Sequence, residues 1–159
     1  MAHTHQVWDE ARAQALIDQL KDLPGATLPI LHSLQEAFGY VDQKAIPLIA
    51  DALALSRAEV VGVIHFYHDF RETPPGHHRL KVCGAESCQA MGSASLVAHI
   101  EKQLGVGMGE TTPDGAITVE TVYCLGNCAL SPAVLLDGRL YGRVSPVRAD
   151  KLIAQAINE

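Results

Sequence analysis

Four cysteines, arranged as two close pairs, are the residues of this chain whose spacing most clearly predicts chemistry. Cys83 and Cys88 are separated by four residues, Cys124 and Cys128 by three, and the 159-residue chain has no other cysteine. Two pairs of thiolates from two loops can close a cage around a metal ion or an iron–sulfur cluster. The pattern therefore predicts a metal-binding or electron-transfer module rather than an enzyme that acts through its own side chains.

Two ligands fit the cysteine spacing. Structural zinc binds four thiolates with about two to four residues between the members of a pair, and a [2Fe–2S] cluster takes two thiolates on each iron. The small residues Gly84, Ala85 and Gly126 favour the cluster, because they let backbone N–H groups approach sulfur atoms. Zinc stays open as an alternative on spacing alone.

Disulfide chemistry fits the chain less well. The first residues lack a basic segment followed by an apolar one, which is the pattern of a secretory signal, so we expect a reducing cytoplasm. A thiol oxidoreductase of the thioredoxin type is a weaker third interpretation, because neither pair has the Cys-x-x-Cys spacing.

The residues after position 75 are predicted to alternate between strands and helices, with each cysteine pair just after a strand. If the two strands that precede the pairs are parallel neighbours, both pairs lie on the same edge of the sheet. Asp137-Gly138 predicts a type I′ hairpin turn, and Ser131-Pro132 a turn after the second pair. The predicted strands are Arg79–Val82, Ala116–Tyr123, Ala133–Leu136 and Leu140–Val144; the predicted helices are Gly92–Leu104 and a last one that Ser145-Pro146 begins.

The first 75 residues are predicted to form about four short helices. Ser56 and Glu59 form a capping box at the start of the fourth, and Pro74, Pro75 and Gly76 break the pattern as a short linker. Aromatic residues at helical spacing are more often core than surface, so we expect at least two of Phe66, Tyr67 and Phe70 to be buried. The predicted helices span Asp9–Leu23, Thr27–Phe38, Asp42–Leu55 and a segment from Ser56 through Tyr67 to Phe70.

Charge and composition exclude several classes of function. The net charge is −6, and residues 1–75 hold ten acidic but five basic side chains. No basic stripe is present, so we expect neither nucleic acid nor an anionic membrane as a partner. No apolar run reaches about 18 residues, so no membrane-spanning helix is expected. No Ser-His-Asp or Cys-His set indicates a catalytic residue, and we expect His65, His68, His77 and His78 to be surface or partly buried histidines.

The two cysteine stretches, Cys83–Gln89 and Cys124–Cys128, followed by Pro132, resemble the thioredoxin-like [2Fe–2S] ferredoxin family, which includes the 24-kDa subunit of respiratory complex I. The segment Gly62–Phe70 resembles the N-terminal helical part of that family. The resemblance implies an α+β chain, in which a helical bundle at residues 1–75 precedes a thioredoxin-like [2Fe–2S] ferredoxin domain at 76–159. It also implies that one [2Fe–2S] cluster is ligated by Cys83, Cys88, Cys124 and Cys128.

Within the family, Ala85-Glu86 and Gln89 are similar to the gamma subunit of soluble NAD-dependent formate dehydrogenases, whereas complex I relatives usually carry Gly-Thr in place of Ala85-Glu86. This implies docking on a flavin-containing, NADH-oxidising subunit beside a catalytic subunit that contains molybdenum and iron–sulfur clusters. FMN, NAD and the molybdenum cofactor would then belong to partners. The equivalent subunit of NADH:quinone oxidoreductase or of an NAD-reducing hydrogenase, and a zinc-stapled interaction module without a redox role, stay open as alternatives.

Overall fold

A computed structural model describes residues 7–158 of the chain. These residues divide into two compact units, with the boundary between Pro74 and Pro75. Within the described residues, the first unit consists of four α-helices, and the second combines a four-stranded sheet with three α-helices. The predicted α+β class is therefore confirmed. The division into domains at residues 1–75 and 76–159 stays a prediction.

The first unit is a bundle of helices with one continuous apolar core. Each helix turns a stripe of apolar side chains inward, and Ile17, Ile30, Leu34, Phe38 and Ile49 are completely or almost completely buried there. The helices are α1 (Glu10–Leu20), α2 (Thr27–Phe38), α3 (Ala45–Leu53) and α4 (Arg57–Phe66).

Local residues set where these helices begin and end. The Asp9 side chain accepts a hydrogen bond from the Arg12 backbone N–H and starts α1, and Gly39 ends α2 in the left-handed conformation, at φ 83°, which glycine adopts without steric cost. The predicted capping box is confirmed at α4, where Ser56 and Glu59 each bond the other's backbone N–H.

The end of α4 differs from the prediction. The helix stops at Phe66 and does not continue to Phe70, because Tyr67 is already in an extended conformation. The Gln35 side chain donates a hydrogen bond to the Asp69 carbonyl and accepts one from the Arg71 N–H, each at 2.7 Å. These bonds from α2 hold the segment after α4 in a turn that helical periodicity cannot reveal.

The aromatic residues at this end are mostly exposed. Phe70 is buried, with its ring 4.9 Å from that of His32, whereas Phe66 and Tyr67 are 75% and 42% exposed. The expectation that at least two of the three lie in the core is therefore wrong. The early end of α4 takes Tyr67 off the helical stripe, whereas Phe66 is still helical and lies on the exposed face of α4.

The second unit is built on a mixed sheet in the order β2-β1-β3-β4. Its two central strands, β1 and β3, pair antiparallel, and β2 lies parallel to β1. A parallel pair needs a long crossover connection, which here contains two helices. The elements are β1 (His78–Cys83), α5 (Glu86–Ala90), α6 (Ser93–Leu104), β2 (Ile117–Val122), β3 (Val134–Leu136), β4 (Arg139–Tyr141) and α7 (Pro146–Ile157).

The hairpin between β3 and β4 has the predicted turn. Asp137 and Gly138 have positive φ angles of 49° and 79°, as a type I′ turn requires. The Asp137 carboxylate accepts a 2.8 Å bond from the Arg79 N–H and lies 2.7 Å from His78 Nδ1, which ties the turn to β1. The last strand ends at Tyr141, earlier than the predicted Val144.

Within residues 7–158, none of the helices combines the length and the apolar composition that crossing a bilayer requires.

Candidate metal centre

The parallel pairing of β1 and β2 brings the two cysteine pairs to one edge of the sheet. Cys83 is the last residue of β1, its register partner is Val122 at the end of β2, and Cys124 follows two residues later. Because the carboxyl ends of parallel strands lie at the same edge, the prediction that both pairs share one rim is confirmed.

The two pairs differ in their exposure to solvent. Cys83 and Cys88 are 3% and 2% exposed and pack with Ala133 in a small cluster of their own. Cys88 is held by the short helix α5, which no pattern in the sequence predicted. Cys124 and Cys128 are exposed, and Cys128 begins a short 3₁₀ helix that runs to Leu130. The first pair therefore forms the buried side of the site and the second pair its solvent side.

Backbone N–H groups converge on the sulfur of Cys83. Burial raises the pKa of this thiol, but hydrogen bonds from the Ala85 N–H, the Cys88 side chain and the N–H groups of Cys124 and Leu125 together outweigh burial and lower the pKa below its ordinary value. Donors that point at a sulfur stabilise its thiolate form. The thiolate is the form that ligates metal.

The pKa of Cys128 depends on the other three cysteines. Its pKa is raised, first by a hydrogen bond with Cys124, then by the charge of Cys124, by burial, and by the charges of Cys88 and Cys83. Neighbouring thiolates repel one another unless cations lie among them. Four cysteine thiolates are the number of ligands that a [2Fe–2S] cluster requires.

Cys124 has a strained backbone. Its φ angle is 84°, in the left-handed region that a residue with a side chain seldom adopts. The conformation turns the chain so that the Gly126 N–H points at the Cys124 sulfur, at 3.4 Å. Backbone strain of this kind clusters at functional sites, and no periodicity in the sequence indicates it.

Ser87 and Ser131 lie against the buried pair of cysteines. The Ser131 oxygen is 3.4 Å from the Cys88 sulfur and 2.9 Å from the Ser87 oxygen. Both hydroxyls reach the Cys128 carbonyl oxygen, at 2.8 Å from Ser131 and 3.2 Å from Ser87. The sequence predicted only a turn at Ser131; its position in space beside Cys88, 43 residues away in sequence, has no local signal.

Gly142 holds the second cysteine segment close to the hairpin. A Cβ atom on Gly142 would lie 2.5 Å from the Leu130 Cβ, 2.8 Å from the Asn127 side chain and 2.9 Å from the Leu130 carbonyl oxygen. The Arg143 N–H donates to that same carbonyl, at 2.6 Å. Glycine is therefore required for the segment from Asn127 to Leu130 to approach β4 this closely.

The donor set fits a two-iron cluster. A [2Fe–2S] cluster divides four thiolates between two irons, and the described residues supply four thiols, two buried and two exposed. Across residues 7–158, no group of three or more His, Cys, Asp or Glu side chains is arranged to hold a single metal ion.

Exposed apolar residues accompany the solvent side of the site. Tyr123, which precedes Cys124, is 81% exposed, and Leu130, at the end of the 3₁₀ helix, is also exposed. A groove of about 660 Å³ lies beside Cys128, and Met91, Pro132 and Arg143 are among its lining residues. An exposed apolar rim is typical of a surface that a partner covers.

The histidines lie apart from the cysteines in their described contacts. His65 Nε2 is 3.0 Å from Glu72, and His99 Nε2 is 2.6 Å from Asp150. His78 differs from the expectation of a surface or partly buried side chain, because it is buried and lies 2.7 Å from Asp137 in the hairpin turn. These contacts connect the histidines to carboxylates of the fold.

Comparison with known proteins gives a family and several relatives. The family described as thioredoxin-like [2Fe-2S] ferredoxin matches residues 13–157. The chain is 38% identical over 133 residues to a subunit of the NADH-quinone oxidoreductase of Pseudomonas aeruginosa, and the match covers 84% of this chain and 80% of that subunit. It is 31% identical over 154 residues to HndA, a subunit of the NADP-reducing hydrogenase of Solidesulfovibrio fructosivorans, covering 95% and 90%.

A solved structure supports the same relationship. The crystal structure of an air-oxidised NAD⁺-reducing [NiFe]-hydrogenase contains a chain that superimposes on this one with a TM-score of 0.71 and 27% sequence identity. The match covers 87% of this chain and 24% of the hydrogenase chain, so this chain spans about a quarter of that polypeptide.

Proposed function

Because this chain belongs to the thioredoxin-like [2Fe–2S] ferredoxin family, we propose that it is the electron-transfer subunit of a multisubunit, NAD-linked oxidoreductase. One observation carries the proposal, namely the parallel register of β1 and β2, which places both cysteine pairs at one edge of the sheet. The relatives are named as subunits of an NADH-quinone oxidoreductase and an NADP-reducing hydrogenase, which supports a role as one subunit of a larger assembly.

The proposed cluster ligands are the four cysteines of the site. Cys83 and Cys88 would supply the buried thiolates and Cys124 and Cys128 the exposed ones. When bound, a [2Fe–2S] cluster accepts and returns one electron at a time. The chain contributes the thiolates, the N–H donors that stabilise negative charge on Cys83, and the buried wall that excludes water from one side.

The finer proposal is that the complex is a formate dehydrogenase. It rests on Ala85-Glu86 and Gln89 around Cys88, which are similar to the gamma subunit of soluble NAD-dependent formate dehydrogenases. In that arrangement the chain docks on a flavin-containing NADH-oxidising subunit, and a third subunit with molybdenum and iron–sulfur clusters oxidises formate. FMN, NAD and the molybdenum cofactor are bound by those partners, and the complex is cytoplasmic.

The exposed side of the cysteine site is the proposed contact with the flavin subunit. Electron transfer needs the two redox groups close together, and the pair that faces solvent is Cys124 and Cys128. Tyr123 and Leu130 add exposed apolar surface beside that pair. The placement gives a one-electron acceptor beside a two-electron flavin, so that electrons can leave the flavin singly.

The experiment that tests the assignment is purification of the intact complex from its native cells through a tag on this chain. We expect the purified complex to reduce NAD⁺ with formate and to contain molybdenum and flavin. Reduction of NAD⁺ with hydrogen, together with nickel, would instead assign the chain to a hydrogenase. Oxidation of NADH by a quinone without either metal would assign it to an NADH:quinone oxidoreductase. Mock purification from untagged cells is the control for metal carried over.

A further inference from the structure

We propose that the Ser131 hydroxyl donates a hydrogen bond to the sulfur of Cys88 when that cysteine ligates the cluster, and that this bond raises the reduction potential. Ser87 is the positioning residue that makes the Ser131 hydrogen available. The inference rests on the proposed function, because it assumes that Cys88 is a cluster ligand.

The Ser131 hydroxyl has three hydrogen-bonding neighbours. Its oxygen lies 3.4 Å from the Cys88 sulfur, 2.9 Å from the Ser87 oxygen and 2.8 Å from the Cys128 carbonyl oxygen. Ser87 is the second donor that reaches the Cys128 carbonyl, at 3.2 Å. In the structure both hydroxyls are placed to donate to this carbonyl, and the Cys88 S–H donates to the Ser131 oxygen.

The direction of the Ser131–Cys88 bond depends on whether Cys88 carries a proton. In the free thiol, the Cys88 S–H donates to Ser131, and Ser131 donates to the Cys128 carbonyl. A ligating thiolate has no hydrogen and can only accept. The contact then remains a hydrogen bond only if Ser131 turns its hydrogen to the sulfur, and Ser87 is placed to supply the Cys128 carbonyl instead.

Burial makes this bond matter for the potential. Cys88 is 2% exposed and Ser131 is 8% exposed, so the Cys88 sulfur has little contact with bulk solvent, although Ser131 also lines the groove beside Cys128. Reduction adds one electron, and with it one negative charge shared by the cluster and its thiolates, without a proton. A donor aimed at a ligand sulfur stabilises the added charge, and hydrogen bonds to sulfur are among the factors that set these potentials. Ser131 therefore favours the reduced state.

The test is a reduction potential measured by electron paramagnetic resonance on full-length, cluster-loaded protein and its variants. Ser131→Ala is expected to lower the equilibrium constant for one-electron reduction by up to about tenfold, which corresponds to about 59 mV. Ser131→Thr keeps the hydroxyl and is expected to restore the potential. Ser87→Ala is expected to lower it as well, because Ser131 then returns its hydrogen to the Cys128 carbonyl.

A matched control and a second signal separate this role from a structural one. Ser95→Ala removes a hydroxyl from the groove beside Cys128 and is expected to leave the potential unchanged. Resonance Raman spectra in D₂O should show a shift of an iron–cysteine stretching band in the wild type and in Ser131→Thr. The shift should be reduced in Ser131→Ala.

The outcomes distinguish this proposal from the proposed function. A wild-type protein that gives no signal on reduction would overturn both. A normal cluster whose potential and Raman shift are the same in Ser131→Ala as in the wild type would overturn only the role of Ser131. If Ser131→Ala holds no cluster, the potential of Ser87→Ala tests the proposal instead, because Ser87 has no contact with the Cys88 sulfur among its hydrogen bonds. An unchanged potential in Ser87→Ala would overturn the proposal.

Discussion

At the scale of single residues, the two cysteine pairs of the site differ in their burial. Cys83 and Cys88 belong to a small buried cluster, whereas Cys124 and Cys128 face solvent. Removing a sulfur from the buried pair would change the packing of this cluster as well as the proposed ligation. Removing one from the exposed pair tests ligation with little effect on the fold, so the exposed pair is the better place for mutagenesis.

We predict that Cys124→Ser leaves the fold largely intact and weakens or alters the cluster. The side chain is exposed, so the free energy of unfolding of the metal-free protein should stay within about 0.5 kcal/mol of the wild type. Circular dichroism and chemical unfolding measure the fold, and electron paramagnetic resonance measures the cluster. A full cluster with an unchanged spectrum in this variant would show that Cys124 is not a ligand.

Gly142→Ala should disturb the site without touching a cysteine. The added Cβ would lie 2.5 Å from the Leu130 Cβ and 2.9 Å from the Leu130 carbonyl oxygen, so the segment that carries Cys128 must shift. Overpacking of this kind typically costs about 1–3 kcal/mol. We expect a lower free energy of unfolding and less iron retained per chain.

Gly62→Ala is the matched control for that substitution. Gly62 lies inside α4, and a Cβ there would meet no atom within 4 Å. Alanine should stabilise the helix by about 0.4–1 kcal/mol and leave iron content unchanged. Equal iron content in both variants would contradict the role assigned to Gly142.

At the scale of helices and strands, the capping box at the start of α4 gives a direct prediction. Ser56→Ala removes the hydroxyl that accepts from the Glu59 N–H, at 3.2 Å, and should lower the free energy of unfolding by about 1 kcal/mol. Ser33→Ala, within α2, is the comparison and should change it by less than about 0.5 kcal/mol. Thermal or chemical unfolding of both variants measures the difference, and equal stabilities would contradict the cap.

The same cap has a predictable pH dependence. Hydrogen bonds from the Ser56 backbone N–H and then from its hydroxyl lower the pKa of Glu59. A carboxyl whose pKa is lower in the folded state stabilises the fold above its unfolded pKa, and the contribution disappears as pH falls through the folded value. The stability difference between wild type and Ser56→Ala should therefore shrink in acid.

Local sequence signals predicted most of these helices and strands. The element boundaries that were not predicted depend on tertiary contacts or on very short segments. The β3–β4 turn was predictable because Asp137-Gly138 alone supplies two positive φ angles. The end of α4 was not, because it depends on hydrogen bonds from Gln35, more than thirty residues away. The one-turn helix α5 is too short for a hydrophobic period to show.

The position of the cysteine pairs in the fold was predictable, whereas their surroundings were less so; the assignment of the four cysteines as ligands stays a prediction. Cysteine spacing and the strand pattern placed both pairs on one rim, which the parallel register confirms. The left-handed backbone of Cys124 and the approach of Ser131 to Cys88 have no counterpart in spacing. They arise from the way the second cysteine segment folds against α5 and the hairpin.

At the scale of the whole molecule, the proposed electron-transfer role implies a partner that approaches the exposed cysteine pair. We predict that Tyr123→Ala weakens binding to the flavin subunit by about tenfold or more, because a few residues, often tyrosines that the partner buries, carry most of the binding energy of an interface. Ile157→Ala is the control. Ile157 is also exposed. It is the last residue of α7 and lies about 16 Å along the helix axis from Pro146, the first residue of that helix. Binding measured by biolayer interferometry should be unchanged in the control, and an equal loss in both variants would contradict a specific surface at Tyr123.

The most direct test of the central claim is an electron paramagnetic resonance spectrum of anaerobically purified protein, before and after dithionite, with iron and zinc quantified in the same sample. A [2Fe–2S] electron carrier should contain about two irons per chain and give a half-spin signal that appears only on reduction. About one zinc per chain and no signal in either state would instead identify a structural metal module, and would contradict an electron-transfer role for this protein.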